Sequence, residues 1–186
     1  MIVRGDHVLN HEGPEFSKVL QKSLEQDGVR FHFNTVVREV AYADGVFTVN
    51  LSTGEELTAE AFLIAVGRKP NTHALNTEVS SIQRDEKGYI KIDEHFHTTC
   101  EGVYAIANAA KQPAFTHVCW EDYRRLKAIL SGQERSRSDR VLGYAVYTEP
   151  QVGRVGITAQ QAKQKGMNTR SVKLPMSQIA RAIEFS

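Results

Sequence analysis

Thr98-Thr-Cys-Glu-Gly-Val-Tyr-Ala-Ile-Ala-Asn108 is the stretch on which the fold turns. Its centre, Val103-Tyr-Ala-Ile106, is a short apolar run behind a glycine, the pattern of a brief buried strand. The strand is predicted to pass into a loop at Ala107-Asn108. Residues 116–130 then read as a helix, with Thr116 as N-cap and Val118, Tyr123, Leu126, Ile129 and Leu130 on or near one face.

Upstream the same alternation repeats. Residues 1–4 read as the end of a strand. Pro14 suits a first helical turn, Phe16, Val19, Leu20 and Leu24 follow helical spacing, and Gly28 supplies the stop. Strands are predicted at 29–33 and 36–40, followed by a hairpin excursion through Gly45, the turn Ser52-Thr-Gly54 and residues 55–58. Phe62-Leu-Ile-Ala-Val66 is continuously apolar, as in a strand buried on both faces, and ends in the turn-forming Gly67-Arg-Lys-Pro-Asn71. Tyr89-Ile-Lys-Ile92 is another expected strand.

Downstream, residues 131–140 are polar and periodless, a linker. Strands are expected at 144–147, 152–155 and 169–174. Thr158-Ala-Gln-Gln161 has the letters of a capping box opening a helix that Gly166 ends. The final residues, up to Ser186, suggest no terminal element. Alternating strands and helices give an α/β class.

Composition excludes several functions. The 186 residues carry 23 basic and 22 acidic side chains, a net charge of +1 that draws the chain to neither nucleic acid nor membrane. No apolar run reaches the length of a membrane span, Met1-Ile-Val-Arg4 does not open the long apolar segment of a secretion signal, and the cytoplasm is the expected location. Two cysteines, Cys100 and Cys119, make no disulfide framework.

Five motifs in order resemble the FAD- and NAD(P)-dependent pyridine nucleotide-disulfide oxidoreductases, among them mercuric reductase and dihydrolipoamide dehydrogenase. Arg4-Gly-Asp-His-Val-Leu9 through Gly28 is similar to the second half of their nicotinamide domain. Ala65-Val-Gly-Arg-Lys-Pro-Asn71 is similar to the turn by which the chain returns to the flavin domain. Gly88-Tyr-Ile-Lys-Ile-Asp93, Thr98-Thr and Val103-Tyr-Ala-Ile106 keep the family's order and spacing. Phe115-Thr-His117 and Trp120-Glu-Asp-Tyr-Arg124 resemble the mercuric-reductase branch. Tyr147-Thr-Glu-Pro150 through Thr158 resembles the opening of the dimerisation domain. The resemblance implies partial Rossmann-like domains followed by the start of an α+β dimerisation domain. Residues 1–75 would close the NAD(P)-binding domain, 76–137 would close the FAD-binding domain, and 138–186 would open the dimerisation domain.

The resemblance also assigns sites. The family strand ends in Gly-Asp, whose carboxylate accepts hydrogen bonds from the flavin ribityl chain; here the pair is Ala107-Asn108, and Lys111 and Gln112 replace small residues beyond it. An amide oxygen still accepts, but without charge assistance, a loss of about 1–2 kcal/mol. The competing reading of Ala107-Asn108 is a turn that holds no ligand. Ala114, Phe115, Thr116 and His117 align with the segment along the flavin ring, against the plain reading of a helix N-terminus. Gly67 and Val37 align with nicotinamide dinucleotide contacts, against a tight turn and a core valine. Val3 and Arg4 lie near the position that separates NADH from NADPH, a choice left open.

Nothing assigns a catalytic or metal residue. Cys100 and Cys119 are nineteen apart, unlike the family's redox pair, and read as structural thiols. His95 and His97 share a strand face and are too few for a metal, and Arg135-Ser-Arg-Ser-Asp-Arg140 reads as a solvated linker. No G-x-G-x-x-G occurs, and the family's C-terminal His-Pro motif is not reached. The expectation is an internal fragment of a protein roughly two or three times as long. It belongs by family to an enzyme passing electrons from NAD(P)H through FAD to a disulfide or metal-type acceptor, and is itself expected to be inactive. Two alternatives stay open. One is a non-catalytic remnant or dimerisation module binding no cofactor; the other is a split enzyme completed by a separate chain, where the full family is a homodimer. Uncovered apolar surface around residues 62–66 predicts oligomers or poor solubility.

Overall fold

The structure is a computed structural model that describes residues 1–10 and 12–180. It divides into two compact units, one formed by residues 1–62 with 142–186 and the other by residues 63–141. The expectation for the last residues, up to Ser186, lies outside the described residues.

In the first unit, helix α1 spans Pro14–Gln26 with Pro14 in its first turn. Gly28 takes φ +88°, and the amides of Gly28 and Val29 donate to Glu25 and Leu24 at 3.0 and 2.9 Å. These two bonds form a Schellman stop that glycine makes cheap. Leu20 and Ser17 are buried, but Phe16 and Val19 lie on the exposed side, so the apolar face is narrower than its spacing suggested.

Three antiparallel strands follow in the order β1 (Val37–Ala43), β2 (Val46–Leu51) and β3 (Glu56–Ala59). Asp44 and Gly45 join the first two at φ 52° and 83°. Positive φ at both centres is the primed two-residue turn that matches strand twist. Val49 and Leu51 alternate into the interior, at 3% exposure each. The same unit holds β4 (Gly143–Val146) paired antiparallel with β5 (Val152–Val155), then α3 (Ala159–Gln164). The capping box at α3 is complete: Gln161 donates to the Thr158 hydroxyl at 3.1 Å, and the Thr158 amide donates to the Gln161 side chain at 2.9 Å. Glu12, 8% exposed, faces Arg154 of β5 at 3.6 Å.

Several expected strands fail to form. Residues 1–4 and 29–33 meet only at one parallel bridge, Ile2 with His32. Around Asn34, at φ 50°, the two segments go on pairing only through separate backbone bonds, from the Asn34 amide to Gly5 at 2.9 Å and from the Thr35 amide to Val3 at 3.1 Å. Residues 169–174 form no strand, and Val172 is 92% exposed.

The second unit is built on tight returns rather than ladders. The expected strands 89–92 and 103–106 reduce to single bridges, Arg84 with Ile90 and His97 with Tyr104. Gly88, Phe96 and Gly102 all take positive φ, turning the chain within a few residues of each pair. Ile90, Ala105 and Ala110 form the core, flanked by Ile82, Ile92 and Ala109. Helix α2 spans Thr116–Leu130 as the spacing predicts, but its N-cap is Phe115, so Thr116 is the first helical residue rather than the cap. Its buried stripe is Val118, Asp122 and Arg125, while Tyr123 and Leu130 are exposed. Residues 62–66 form no strand, and Leu63, Ile64 and Val66 are 88%, 69% and 84% exposed. A parallel-type strand is stable only between partners, and none pairs with this segment among the described residues. No described helix is long and apolar enough to cross a membrane.

Candidate functional site

The Ala105–Ala110 region is held from behind by one buried acid. Asp122 of α2 is fully buried, and its Oδ2 accepts the Ala107 amide at 2.8 Å. Its Oδ1 accepts Nη2 of Arg140, whose side chain is 10% exposed. Arg140 Nε donates to the Arg137 carbonyl at 2.9 Å, and Arg137 pairs with Glu94 at 3.1 Å. Arg125 donates to the Ser136 carbonyl at 2.8 Å and pairs with Glu121 and Asp139. The segment expected to be a solvated linker is therefore strapped onto α2. Its Arg140 is what keeps the buried Asp122 charge compensated.

That anchor fixes a short 3-10 helix, Ala107–Ala110. Ala107 takes φ 58°, and Lys111, at φ 55°, closes the turn. The left-handed region suits glycine and costs roughly 1–2 kcal/mol for a residue with a Cβ. Asn108 is exposed next to this strained position. The Gln112 amide returns to the Ala107 carbonyl at 3.2 Å.

Beyond the turn, Ala114, Thr116 and His117 are exposed and Phe115 is half-buried. The rings of Phe115 and His117 stack at 5.4 Å. The α2 N-terminus has no side-chain cap, so its first amides lack partners within the helix. Arg68 Nη1 donates to the Ala114 carbonyl at 3.3 Å, which ties the Gly67 segment to the start of α2. Gly67 is exposed at φ 118°, a conformation a side chain disfavours. Val37 belongs to the other unit, on edge strand β1 opposite Leu51, and is 37% exposed rather than a core valine.

Asp122, Arg140 and Arg68 escape a reading of local pattern. One signal for Asp122 was present: an acid on the helical stripe of Val118 and Arg125, where a buried charge needs a partner. Cys100 and Cys119 are half-buried free thiols. His95 and His97 are exposed on a turn rather than along one strand face.

Comparison with known proteins bears directly on this arrangement. A profile described as "Pyridine nucleotide-disulphide oxidoreductase" matches residues 1–122, and that family's dimerisation domain matches residues 142–184. The chain belongs to the pyridine nucleotide-disulphide oxidoreductase family. Among its relatives is the probable pyridine nucleotide-disulfide oxidoreductase RclA of Escherichia coli, 32% identical over 94% of this chain and 40% of the relative. A mercuric reductase of Acidithiobacillus ferrooxidans is 31% identical over 98% of this chain and 33% of the relative. A mitochondrial dihydrolipoyl dehydrogenase of Pisum sativum is 37% identical over 90% and 34%.

The solved Cu(II) complex of the flavoprotein disulfide reductase RclA from Escherichia coli superposes with a TM-score of 0.89 at 30% identity, over 99% of this chain and 42% of that one. LpdA of Mycobacterium tuberculosis gives 0.90 at 25% identity, over 99% and 40%. The chain thus has the fold of a pyridine nucleotide-disulphide oxidoreductase, and spans between 33% and 40% of the length of the three relatives matched by sequence. Members are flavin-dependent oxidoreductases with disulfide or mercuric substrates.

Proposed function

We propose that this chain supplies the nicotinamide-side and flavin-side closing segments, and the start of the dimer interface, of an oxidoreductase working in the cytoplasm. In that enzyme electrons pass from NAD(P)H through FAD to a disulfide or metal-type acceptor. Residues 1–75, 76–137 and 138–186 are the three contributions. The observation that carries the reading is the turn at Ala107-Asn108, fixed from below by Asp122 and presenting Asn108 to solvent.

The residues present fit one end of FAD. An exposed amide, a glycine-like backbone at Ala107 and an uncapped helix N-terminus offer an acceptor and donors side by side in sequence. Bound FAD would supply the two-electron chemistry between NAD(P)H and the acceptor. Asn108 Oδ1 would accept a hydrogen bond from a ribityl hydroxyl, more weakly than a carboxylate does. Amides at Thr116 and His117 would donate to a carbonyl or anionic edge, with Ala114 and Phe115 lining it. Gly67 would let a dinucleotide approach its backbone. The pyrophosphate-binding glycine motif is not in this sequence, so a partner carrying it would complete the site. That partner would be the rest of a homodimeric enzyme or a separate chain.

Titration of the purified chain with FAD, followed by visible absorbance, tests the reading. Uptake of flavin is expected, and Asn108→Asp is expected to tighten it by about tenfold through a charge-assisted bond. No uptake by either form would sink the flavin assignment and leave a module that binds no cofactor.

A further inference from the structure

The loop after Ile92 brings three metal-capable side chains together. Ligand atoms of Asp93, His95 and His97 lie within 4.8 Å of one another. Asp93 divides its carboxylate between two tasks. Oδ1 accepts the backbone amides of His95 and His97 at 2.8 and 2.9 Å, and Oδ2 lies 3.0 Å from His97 Nδ1. The loop thus orients the carboxylate, and the carboxylate orients one imidazole. Phe96, between the two histidines, is fully buried and pins the loop. The His97 ring packs on Tyr104 at 4.9 Å and meets the His95 ring edge-on at 6.2 Å.

We propose that Asp93, His95 and His97 form a surface site for a late first-row divalent ion such as Ni(II) or Cu(II), with the remaining coordination positions left to solvent. Imidazole nitrogen and carboxylate oxygen bind such ions at about 2.0–2.2 Å, so ligands around one ion sit roughly 3–4 Å apart. The 4.8 Å span exceeds that, so ion binding requires the side chains to draw in, for which the exposed His95 has room. Two imidazoles with one carboxylate favour these ions over Mg(II) or Ca(II), which take oxygen sets, and Cu(II) stands highest in the affinity order. With Oδ1 committed to two backbone amides, the metal-facing oxygen is held in place.

Electrostatics agree with this arrangement. Two backbone amides donating to Asp93 Oδ1 favour a negative charge on that carboxylate. Neighbouring Glu94 is occupied by Arg137 and Ser138 and does not compete for the ion.

Calorimetric titration of the full chain with NiCl2, backed by electron paramagnetic resonance of a stoichiometric Cu(II) sample, tests the site. His95→Ala and His97→Ala are each expected to weaken Ni(II) binding at least about tenfold and to simplify the nitrogen hyperfine structure of the copper spectrum to that of a single imidazole, and the double variant to remove it. The His95 side chain is exposed, so its replacement leaves the fold intact, as circular dichroism will report. Asp93→Asn keeps an acceptor for both amides while removing the charge, and is expected to cost about tenfold as well. MgCl2 should give no binding heat. A parent chain that does not bind Ni(II), or a His95→Ala/His97→Ala double variant that binds it as the parent does, overturns the assignment.

Discussion

Residues 63–66 and 103–106 have similar letters and opposite fates. Leu-Ile-Ala-Val lies almost wholly in solvent, with Leu63 at 88% and Val66 at 84% exposure. Val-Tyr-Ala-Ile is stitched into a core, with Ala105 at 8%, its amide bonded to the Phe96 carbonyl at 3.1 Å, and Tyr104 bridged to His97. Hydrophobicity is alike in the two segments, so it does not decide the difference. What decides it is whether neighbouring backbone satisfies the segment's amides and carbonyls and whether a helix covers its face. At 103–106 the neighbours come from loop 93–97 and from α2, whose Asp122 reaches the first amide past the segment. At 63–66 no described strand supplies them.

The widest test of that contrast removes the anchor at one end. Asp122→Ala would leave the Arg140 guanidinium buried without its carboxylate and the Ala107 amide without an acceptor. Breaking a buried pair from one side costs about 3–5 kcal/mol, so urea unfolding is expected to show a loss of that size. The 131–140 strap should loosen with it and become sensitive to protease. A loss below about 1 kcal/mol would mean the apolar contacts around Ala105 suffice alone, and the contrast between the segments would have to be sought elsewhere.

A smaller effect of opposite sign is expected at the next residue along. Ala107 holds φ 58° because the Asp122 bond and the Lys111 turn dictate it. Ala107→Gly removes the Cβ penalty and adds chain entropy to the unfolded state, for a net stabilisation of about 0.5–1 kcal/mol. A destabilised variant would show that the Ala107 methyl packs in a way that outweighs its backbone conformation.

Legibility in the sequence followed the range of the interaction. Helix α2 was readable in its span, though neither its cap nor its buried stripe was. Also readable were the Thr158–Gln161 capping box, the Gly28 stop and the β2–β3 turn, each set by residues a few positions apart. The strands at 29–33, 62–66, 89–92 and 169–174 were over-read, since an apolar run states a preference and a ladder needs a partner. The candidate site divides in the same way. Asn108, Gly67 and residues 114–117 could be named from motif and order. The Asp122–Arg140 pair, 18 residues apart in the chain, exists only once the strap has folded back. Asp93 was likewise invisible as a companion of His95 and His97, because its role depends on a turn rather than on strand alternation.

The smallest expected effect lies in the exposed segment, and there its smallness is the point. Leu63→Ser replaces a large apolar side chain by a small polar one. In a packed strand such a change would cost several kcal/mol, from lost burial and a cavity together. At 88% exposure there is little burial to lose, so stability is expected to stay within about 0.5 kcal/mol of the parent. Contiguous exposed apolar surface promotes association, so the variant should instead show a lower sedimentation-average mass at equal concentration. A loss above about 1 kcal/mol with unchanged mass would show that residues 63–66 find a covering partner within the folded chain in solution. The two apolar segments would then differ in how firmly they are held and no longer in whether they are held at all.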